Sequence, residues 1–277
     1  MTPAAVASCL ERGTMLVMSD ATIPVRREPP RFRRARVVAV EDVTPHLRRV
    51  RLAGDELRGM DPGLPGASVR LLTPGAADAP VVLPEWTGNE FRAGDGTRVP
   101  IRTLTPVDPD PVAGLLTLDV VRHGAGVLTA WVDAVEPGGE VAVSGTGRGY
   151  TVDPEADGHL LAGDESALPA LRQVLAAVPD GRPVLLLAEV RGLDAAVAFP
   201  DRSGLEVRWI VADSDTPPGD GLVRAVAGAD LSAGAHVWAA GEAAAVQRIR
   251  RHLFDDRDLP RSRAHVRGYW KVGRGEG

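Results

Sequence analysis

The sequence predicts two folding units in series, a barrel of short antiparallel strands followed by an α/β unit built on a parallel sheet. Three observations predict this. Between Arg34 and Val143 short extended runs are separated by Gly- and Pro-rich turns, the pattern of a β-barrel or sandwich. After Asp153-Pro154-Glu155-Ala156-Asp157-Gly158 the pattern changes to apolar strands alternating with amphipathic helices. A chain of 277 residues is also long enough for two domains that each bury a core. The expected boundaries are an extension over 1–30, a barrel domain over 31–155 and an α/β domain over 156–277.

The segment from Met1 to Pro30 mixes small, polar and proline residues and is expected to be a disordered extension, with Met15 and Met18 as further candidate starts. Ala35 to Val40 and Leu47 to Leu52 are extended runs flanking the hinge Asp42-Val43-Thr44-Pro45, which reads as an antiparallel hairpin. Further strands are expected at Ser68 to Leu72, Val99 to Leu104, Leu115 to Val121 and Glu140 to Val143. One helix interrupts them. Leu128, Trp131, Val132 and Val135 follow i, i+3, i+4, i+7 spacing, and Pro137-Gly138-Gly139 ends the pattern. In the second unit, strands are expected at Leu160 to Ala162, Val184 to Ala188, Val207 to Ala212, His236 to Ala240 and Ala264 to Tyr269. The run Val184 to Ala188 is continuously apolar, as in a strand covered on both faces. Helices are expected at Ser166 to Val178, with Leu168, Leu171 and Leu175 on one face, and at Ala243 to Phe254, with Val246, Ile249 and Leu253.

Composition excludes several classes. The net charge of −5 lacks the basic excess that a nucleic-acid or anionic-membrane binder normally shows, with a local basic patch left open. The 32 basic residues include only one lysine, Lys271, which with abundant Ala, Gly and Pro fits a coding bias. A lone Cys9 rules out an intramolecular disulfide, a cysteine-ligated zinc and a single-chain iron–sulfur cluster. No window approaches the ~18 apolar residues of a membrane span, and the N-terminus lacks the regions of a signal peptide, so a cytoplasmic location is expected. The dispersed histidines group into no metal site, and Walker, metalloprotease and G-x-S-x-G motifs are absent.

Four segments carry chemistry. Gly163-Asp164-Glu165-Ser166-Ala167-Leu168-Pro169-Ala170 opens a helix directly after an apolar strand, which aims bare N–H groups and a helix dipole at a prospective phosphate. Ala240-Gly241-Glu242-Ala243 repeats the situation, and both turns fall where open α/β sheets bind ligands, although each glycine could equally just end a strand. No G-x-G-x-x-G fingerprint follows a strand in this unit. In Arg102-Thr103-Leu104-Thr105-Pro106, Arg102 and Thr105 lie three apart on a strand, so they face opposite sides or need a twist. His123-Gly124-Ala125-Gly126-Val127-Leu128-Thr129 precedes the barrel helix, where a pyrophosphate could meet backbone N–H groups, with Thr129 as a hydroxyl N-cap. His123 alone reads more readily as a structural histidine than as a redox group, and Tyr269 and Trp270 read equally well as packing of the domain interface.

Taken in order, the Arg102 strand, the Gly163 turn and the terminal Gly268-Tyr269-Trp270-Lys271-Val272-Gly273 resemble the signature of the siderophore-interacting protein family, FAD-dependent ferric-siderophore reductases related to the ferredoxin reductases. The resemblance runs from about Arg33 to the end. It implies a flavin-binding barrel, a nicotinamide-binding α/β domain, and electron flow from NADPH or NADH through FAD to Fe(III), with ferredoxin as another donor and a ferric siderophore as substrate. In the flavin strand, Arg102 would meet the phosphates, Thr103 and Leu104 would border the flavin, and Thr105 would stand near the reactive ring nitrogen in a catalytic role. Leu104 stands where the family has a stacking tyrosine. His123, Gly124, Gly126 and Trp131 match a flavin-pyrophosphate segment in which Val127 replaces a proline and Thr129 a serine. Gly163, Asp164, Glu165 and Ser166, with Gly241, Glu242 and Ala243, would border the nicotinamide site. Trp270 would lie near the flavin or nicotinamide pocket, and Lys271 would face an anionic, bulky siderophore. Two further readings stay open: a family member repurposed to a biosynthetic, even non-redox, step, and a flavin-free binding protein.

Overall fold

The computed structural model describes residues 31–75, 79–88, 90–122 and 126–273. Its first half is one antiparallel sheet formed by β1 (Phe32–Thr44), β2 (Leu47–Ala53), β3 (Val69–Leu72), β6 (Ile101–Leu104), β7 (Pro106–Asp110), β8 (Leu115–Val121) and β9 (Glu140–Ser144), with a small ribbon of β4 (Glu85–Trp86) and β5 (Phe91–Arg92) beside it. The strand order is β6-β3-β9-β1-β2-β8-β7. Its two edges, β6 and β7, are consecutive in the chain and separated by Thr105 alone, so the sheet has to curl until its edges meet. The inward faces of these strands bury Val37, Val50, Leu52, Leu71, Leu116, Leu118, Val141 and Val143 in one core, with Trp131 and Val132 of helix α1 (Val127–Ala134) packed in the same core. Arg49 and Asp119, opposite each other on β2 and β8, form a two-pronged ion pair at 2.7 and 2.9 Å.

The expected hairpin is present, with Val40 opposite Val50. Strand β7 was not expected because Pro106 and Pro109 read as breakers. It tolerates them because it is a sheet edge, where a missing N–H removes no ladder bond. Thr129 does not cap α1, since the helix begins earlier, with Gly126 at the N-cap and Thr129 inside the first turn.

The second half is a five-stranded, wholly parallel sheet in the order β12-β11-β10-β13-β14, comprising β10 (His159–Asp164), β11 (Val184–Val190), β12 (Leu205–Val211), β13 (His236–Glu242) and β14 (Ala264–Trp270). A 3-10 turn over Glu165–Ala167 leads into α2 (Leu168–Ala177), which covers one face. Helices α3 (Asp220–Ala227) and α4 (Ala243–Arg251) cover the other, α4 running into a π-helical turn at His252–Asp256. Helix α3 was not foreseen, because Gly219, Gly221 and Gly228 break up its short apolar pattern. Its first turn is instead capped from outside: the buried Glu189 carboxylate accepts the N–H groups of Gly219 and Leu222 at 2.8 and 2.6 Å.

The core between the sheet and α2 holds Leu168, Leu171, Val174, Leu186 and Trp238, and it also takes in Leu47 and Tyr150 from the barrel side. The two halves therefore share apolar packing. Gln173 of α2 fastens them with two bonds, its Oε1 accepting the Gly66 N–H and its Nε2 donating to the Pro106 carbonyl, at 2.8 and 2.7 Å.

Candidate functional site

Successive strands β10, β11 and β12 step one way from the sheet centre, while β13 and β14 step the other, so the strand order reverses between β10 and β13. The crevice outside the carboxyl ends at such a reversal is where open α/β sheets bind ligands. Both turns singled out by sequence, at Gly163 and Gly241, sit there. Their glycines serve the protein itself. A Cβ on Gly163 would stand 2.6 Å from Ala167 Cβ and 3.1 Å from the Ala240 carbonyl oxygen. Gly241 has φ +155°, and a Cβ on it would lie 2.6 Å from Asp164 Oδ2.

That carboxylate is the centre of the crevice. Asp164 is buried and accepts four donors: the Ser166 N–H and hydroxyl on Oδ1 at 3.0 and 2.5 Å, and on Oδ2 the Glu242 N–H at 2.8 Å and the Trp270 indole N–H at 2.7 Å. Burial pushes the Asp164 carboxyl above its ordinary range, and the four donors, which favour the ionised form, act against that push. Glu242 caps α4 in the same way, its Oε2 accepting from Ala244 and Ala245, with Ala243 as the first helical residue. The anion position at each turn is thus filled by a carboxylate of the chain. A nucleotide at this crevice would meet Asp164 and Glu242 where the sequence suggested bare N–H groups.

Glu165 is also engaged. Its carboxylate holds the Arg191 guanidinium and backbone N–H, just beyond β11. On the barrel side, Thr103 is exposed opposite Arg70, and Arg102 is half-buried. Leu104 packs partly buried against the barrel core, as does Leu128 in the first turn of α1, so the end of β6 and the start of the helix share one core. Thr105 is buried, and the acidity of the Tyr269 hydroxyl is lowered by burial, an effect that the Thr105 side chain opposes. Tyr269 itself stands edge-on to Trp238, with ring centroids 6.3 Å apart. Trp270 and Lys271 follow, both exposed. His123 and Gly124 lie outside the described residues, and Gly126 is the α1 N-cap.

The structure therefore brings Thr105, Asp164, Ser166, Gly241, Glu242 and Trp270 to one junction through Tyr269 and Asp164. Sequence reasoning missed Tyr269 as a neighbour of Thr105, and also Gln173 and Arg191. Nothing in the local pattern of α2 sets Gln173 apart. Glu189 did carry a signal, a carboxylate in an otherwise apolar strand. Among the described residues no group of three His, Cys, Asp or Glu side chains is arranged to hold a metal ion, and no helix is long and apolar enough to cross a membrane.

Comparison with known proteins decides the family. Residues 36–150 match the profile of the siderophore-interacting FAD-binding domain, and residues 156–273 match that of the siderophore-interacting protein. An uncharacterized protein of Mycobacterium tuberculosis is 32% identical over 262 residues, covering 87% of this chain and 90% of that protein. The chain belongs to the siderophore-interacting protein family. A siderophore utilization protein from T. fusca shares its structure with a TM-score of 0.77 and 32% identity, over 88% of this chain and 94% of that one. The ferric vibriobactin reductase ViuB of Vibrio cholerae is 26% identical, over 84% of this chain and 87% of its own length. The family member also matches the mycobactin import ATP-binding/permease protein IrtA of M. tuberculosis at 29% identity over 88% of this chain, but spans only 26% of IrtA. At the level of fold alone, the Amycolatopsis cytochrome P450 reductase GcoB superimposes with a TM-score of 0.62 at 22% identity, over 87% of this chain and 71% of that one. The two-domain, ferredoxin-reductase-like architecture expected from sequence is thus the one this family member has.

Proposed function

We propose that this protein is an FAD-dependent ferric-siderophore reductase that takes electrons from NADPH or NADH, or from ferredoxin, in the cytoplasm. One observation carries the reading: Gln173 of α2 donates to the Pro106 carbonyl at 2.7 Å, directly after Thr105, so the end of β6 abuts the first helix of the α/β half. The names of its relatives, ViuB above all, support the substrate class.

The residues fit the phosphates of FAD. The Gly126 N-cap of α1 makes no side-chain cap hydrogen bond, and the positive end of a helix favours an anion such as a phosphate. Arg102 lies on the strand whose end packs against the same core, and its fork suits a phosphate. Bound FAD would supply the redox chemistry, taking up a hydride as two electrons and releasing them singly to two Fe(III) ions. Hydroxamate and catecholate oxygens hold Fe(II) far less tightly than Fe(III), so reduction releases the iron.

The chain's own part is orientation. Arg102, Thr103, the α1 terminus with Gly126 and Thr129, and His123 and Gly124 would hold FAD. Thr105, beside Tyr269, would present its side chain toward the ring, and Leu104 would cover it. The turns at Gly163 to Ser166 and Gly241 to Ala243 would border the donor nucleotide, with Trp270 closing the pocket against water. Lys271, exposed at the rim, would draw in an anionic siderophore.

The test is the visible spectrum of the purified chain with FAD, before and after anaerobic NADPH, NADH or reduced ferredoxin, and then with a ferric siderophore and a ferrous chelator. Flavin bleaching followed by growth of the ferrous chelate is expected. A chain that fails to quench FAD fluorescence would overturn the reading. Bound flavin that yields no Fe(II) with any donor would favour a repurposed role, to which Leu104 in the tyrosine position already points.

A further inference from the structure

We propose that Arg191 is a positioning residue that couples the two cofactor seats of this reductase, so that filling either one changes the affinity of the other. The inference rests on the proposed function, because it takes both seats as real. Arg191 follows β11 at the carboxyl edge of the parallel sheet. Its backbone N–H and its Nε donate to Glu165 Oε1 at 2.7 and 3.0 Å, and on Oε2 its Nε and Nη2 stand at 3.0 and 2.7 Å. Glu165 belongs to the turn that directly follows Gly163-Asp164. The remaining arm of the guanidinium crosses to the barrel, where Nη1 donates to the Arg122 carbonyl at 2.8 Å.

Arg122 is where the chain leaves β8 for α1. Its own guanidinium pairs with Asp42 at the end of the first hairpin and with Asp133 on α1, both at 2.8 Å. One planar fork therefore ties the nucleotide turn to Arg122 at the end of β8 and, through Asp133, to helix α1. The Glu165 side chain is 12% exposed and that of Arg191 36%. A pair of that exposure adds little to stability. What it supplies is geometry, because five donors in one plane can serve two partners at fixed angles, whereas an ammonium cannot. A nucleotide that shifts Glu165 must carry Arg191 with it and pull on the Arg122 carbonyl, or break the fork. Coupling of this kind is reciprocal, and typical couplings change affinity by roughly 5- to 150-fold.

The experiment measures FAD affinity of the full chain by fluorescence quenching, with and without saturating NAD+ or NADP+, which bind without reducing the flavin. In the native chain the nucleotide is expected to change the FAD Kd about fivefold or more. In Arg191→Met the factor should fall below about twofold while FAD alone still binds within about threefold of native. Arg191→Lys keeps the charge beside Glu165 but cannot span both partners, and should lose the coupling as well. Glu165→Gln, which weakens the other end, should reduce it. Amide exchange in α1, read without any cofactor, should quicken in Arg191→Met. Coupling that survives in Arg191→Met or Arg191→Lys overturns the proposal, as does unchanged α1 exchange. A native factor of one, with both cofactors bound, overturns the coupling alone. A native chain that binds no FAD, or neither nucleotide, overturns the reductase reading and the coupling with it.

Discussion

Replacing Asp164 by Asn tests the centre of the crevice with almost no change of shape. The carboxylate accepts four hydrogen bonds, two on each oxygen. An amide offers only one oxygen, so it will turn that oxygen toward the Glu242 N–H and the Trp270 indole, neither of which can reverse its role. Its NH2 then faces Ser166, whose hydroxyl can rotate to accept while the backbone N–H cannot. One donor is left unpaired and the charge is lost from the rest, a cost of about 2–3 kcal/mol on the scale of hydrogen bonds to charged groups. For a protein of this size that corresponds to a fall in Tm of roughly 4–12 °C. The pH dependence gives a second reading. Because burial raises the folded pKa of Asp164 above its ordinary value, the folded state holds the proton more tightly. Stability from this group then falls as pH rises through the interval from about 3.9, the unfolded value, to the folded pKa. Asn removes that slope, so the gap between native and variant melting curves should be wider near pH 4 than near pH 7. Equal stability at all pH values would refute the hub. A gap that widens with rising pH would show that the donors outweigh burial.

Arg102→Ala should weaken FAD binding by about 1.5–3 kcal/mol, or roughly ten- to 150-fold, if its guanidinium makes a charge-assisted phosphate bond, and a fluorescence titration with unchanged affinity would assign it to the strand alone. Leu104→Tyr should tighten FAD binding about two- to tenfold, since an offset stack contributes roughly 0.5–1.5 kcal/mol beyond burial. Because Leu104 now packs against the barrel core, weaker binding in a folded variant would mean the pocket has been reshaped around leucine. His159 is held below its usual pKa, chiefly by burial and next by neighbouring His236, so it stays neutral in the folded chain and costs stability as pH drops below about 6.5. His159→Leu should therefore lose less stability between pH 7 and pH 5 than the native chain, as read by urea unfolding at each pH.

Most of the framework was legible because it rests on local patterns. Alternating strands, the i, i+3, i+7 stripe of Leu168, Leu171 and Leu175, and the apolar run from Val184 respond to burial on one face or both, and burial writes directly into sequence. Strand β7 was hidden by two prolines that only an edge position permits, and α3 by flanking glycines whose cap arrives from Glu189, 30 residues away. The candidate site was legible as segments and illegible as a network. Asp164, Ser166, Glu242 and Trp270 were all named as cofactor neighbours, yet their bonds to one another depend on a sheet order that places β10 beside β13 and β13 beside β14. Sequence could suggest a phosphate seat at each turn, but not that Asp164 and Glu242 would sit in it themselves. Tyr269 and Thr105 lie too far apart in the chain for spacing to reveal that they are neighbours.

The Asp164 hub also bears on how the molecule is made. Its bonds reach 78 residues forward to Glu242 and 106 to Trp270. A nascent chain can close the barrel sheet once Ser144 has emerged, since every strand of that sheet is by then available. The parallel sheet cannot satisfy its central carboxylate until the strand carrying Trp270 has been added at its outer edge. Until then the growing domain carries an acid with too few donors at its heart, a state in which burial is penalised and the crevice stays open to water, chaperones and proteases. The last donor of the Asp164 carboxylate thus comes from the last strand of the sheet, so the second domain completes its central hydrogen bonds only with the chain through Trp270.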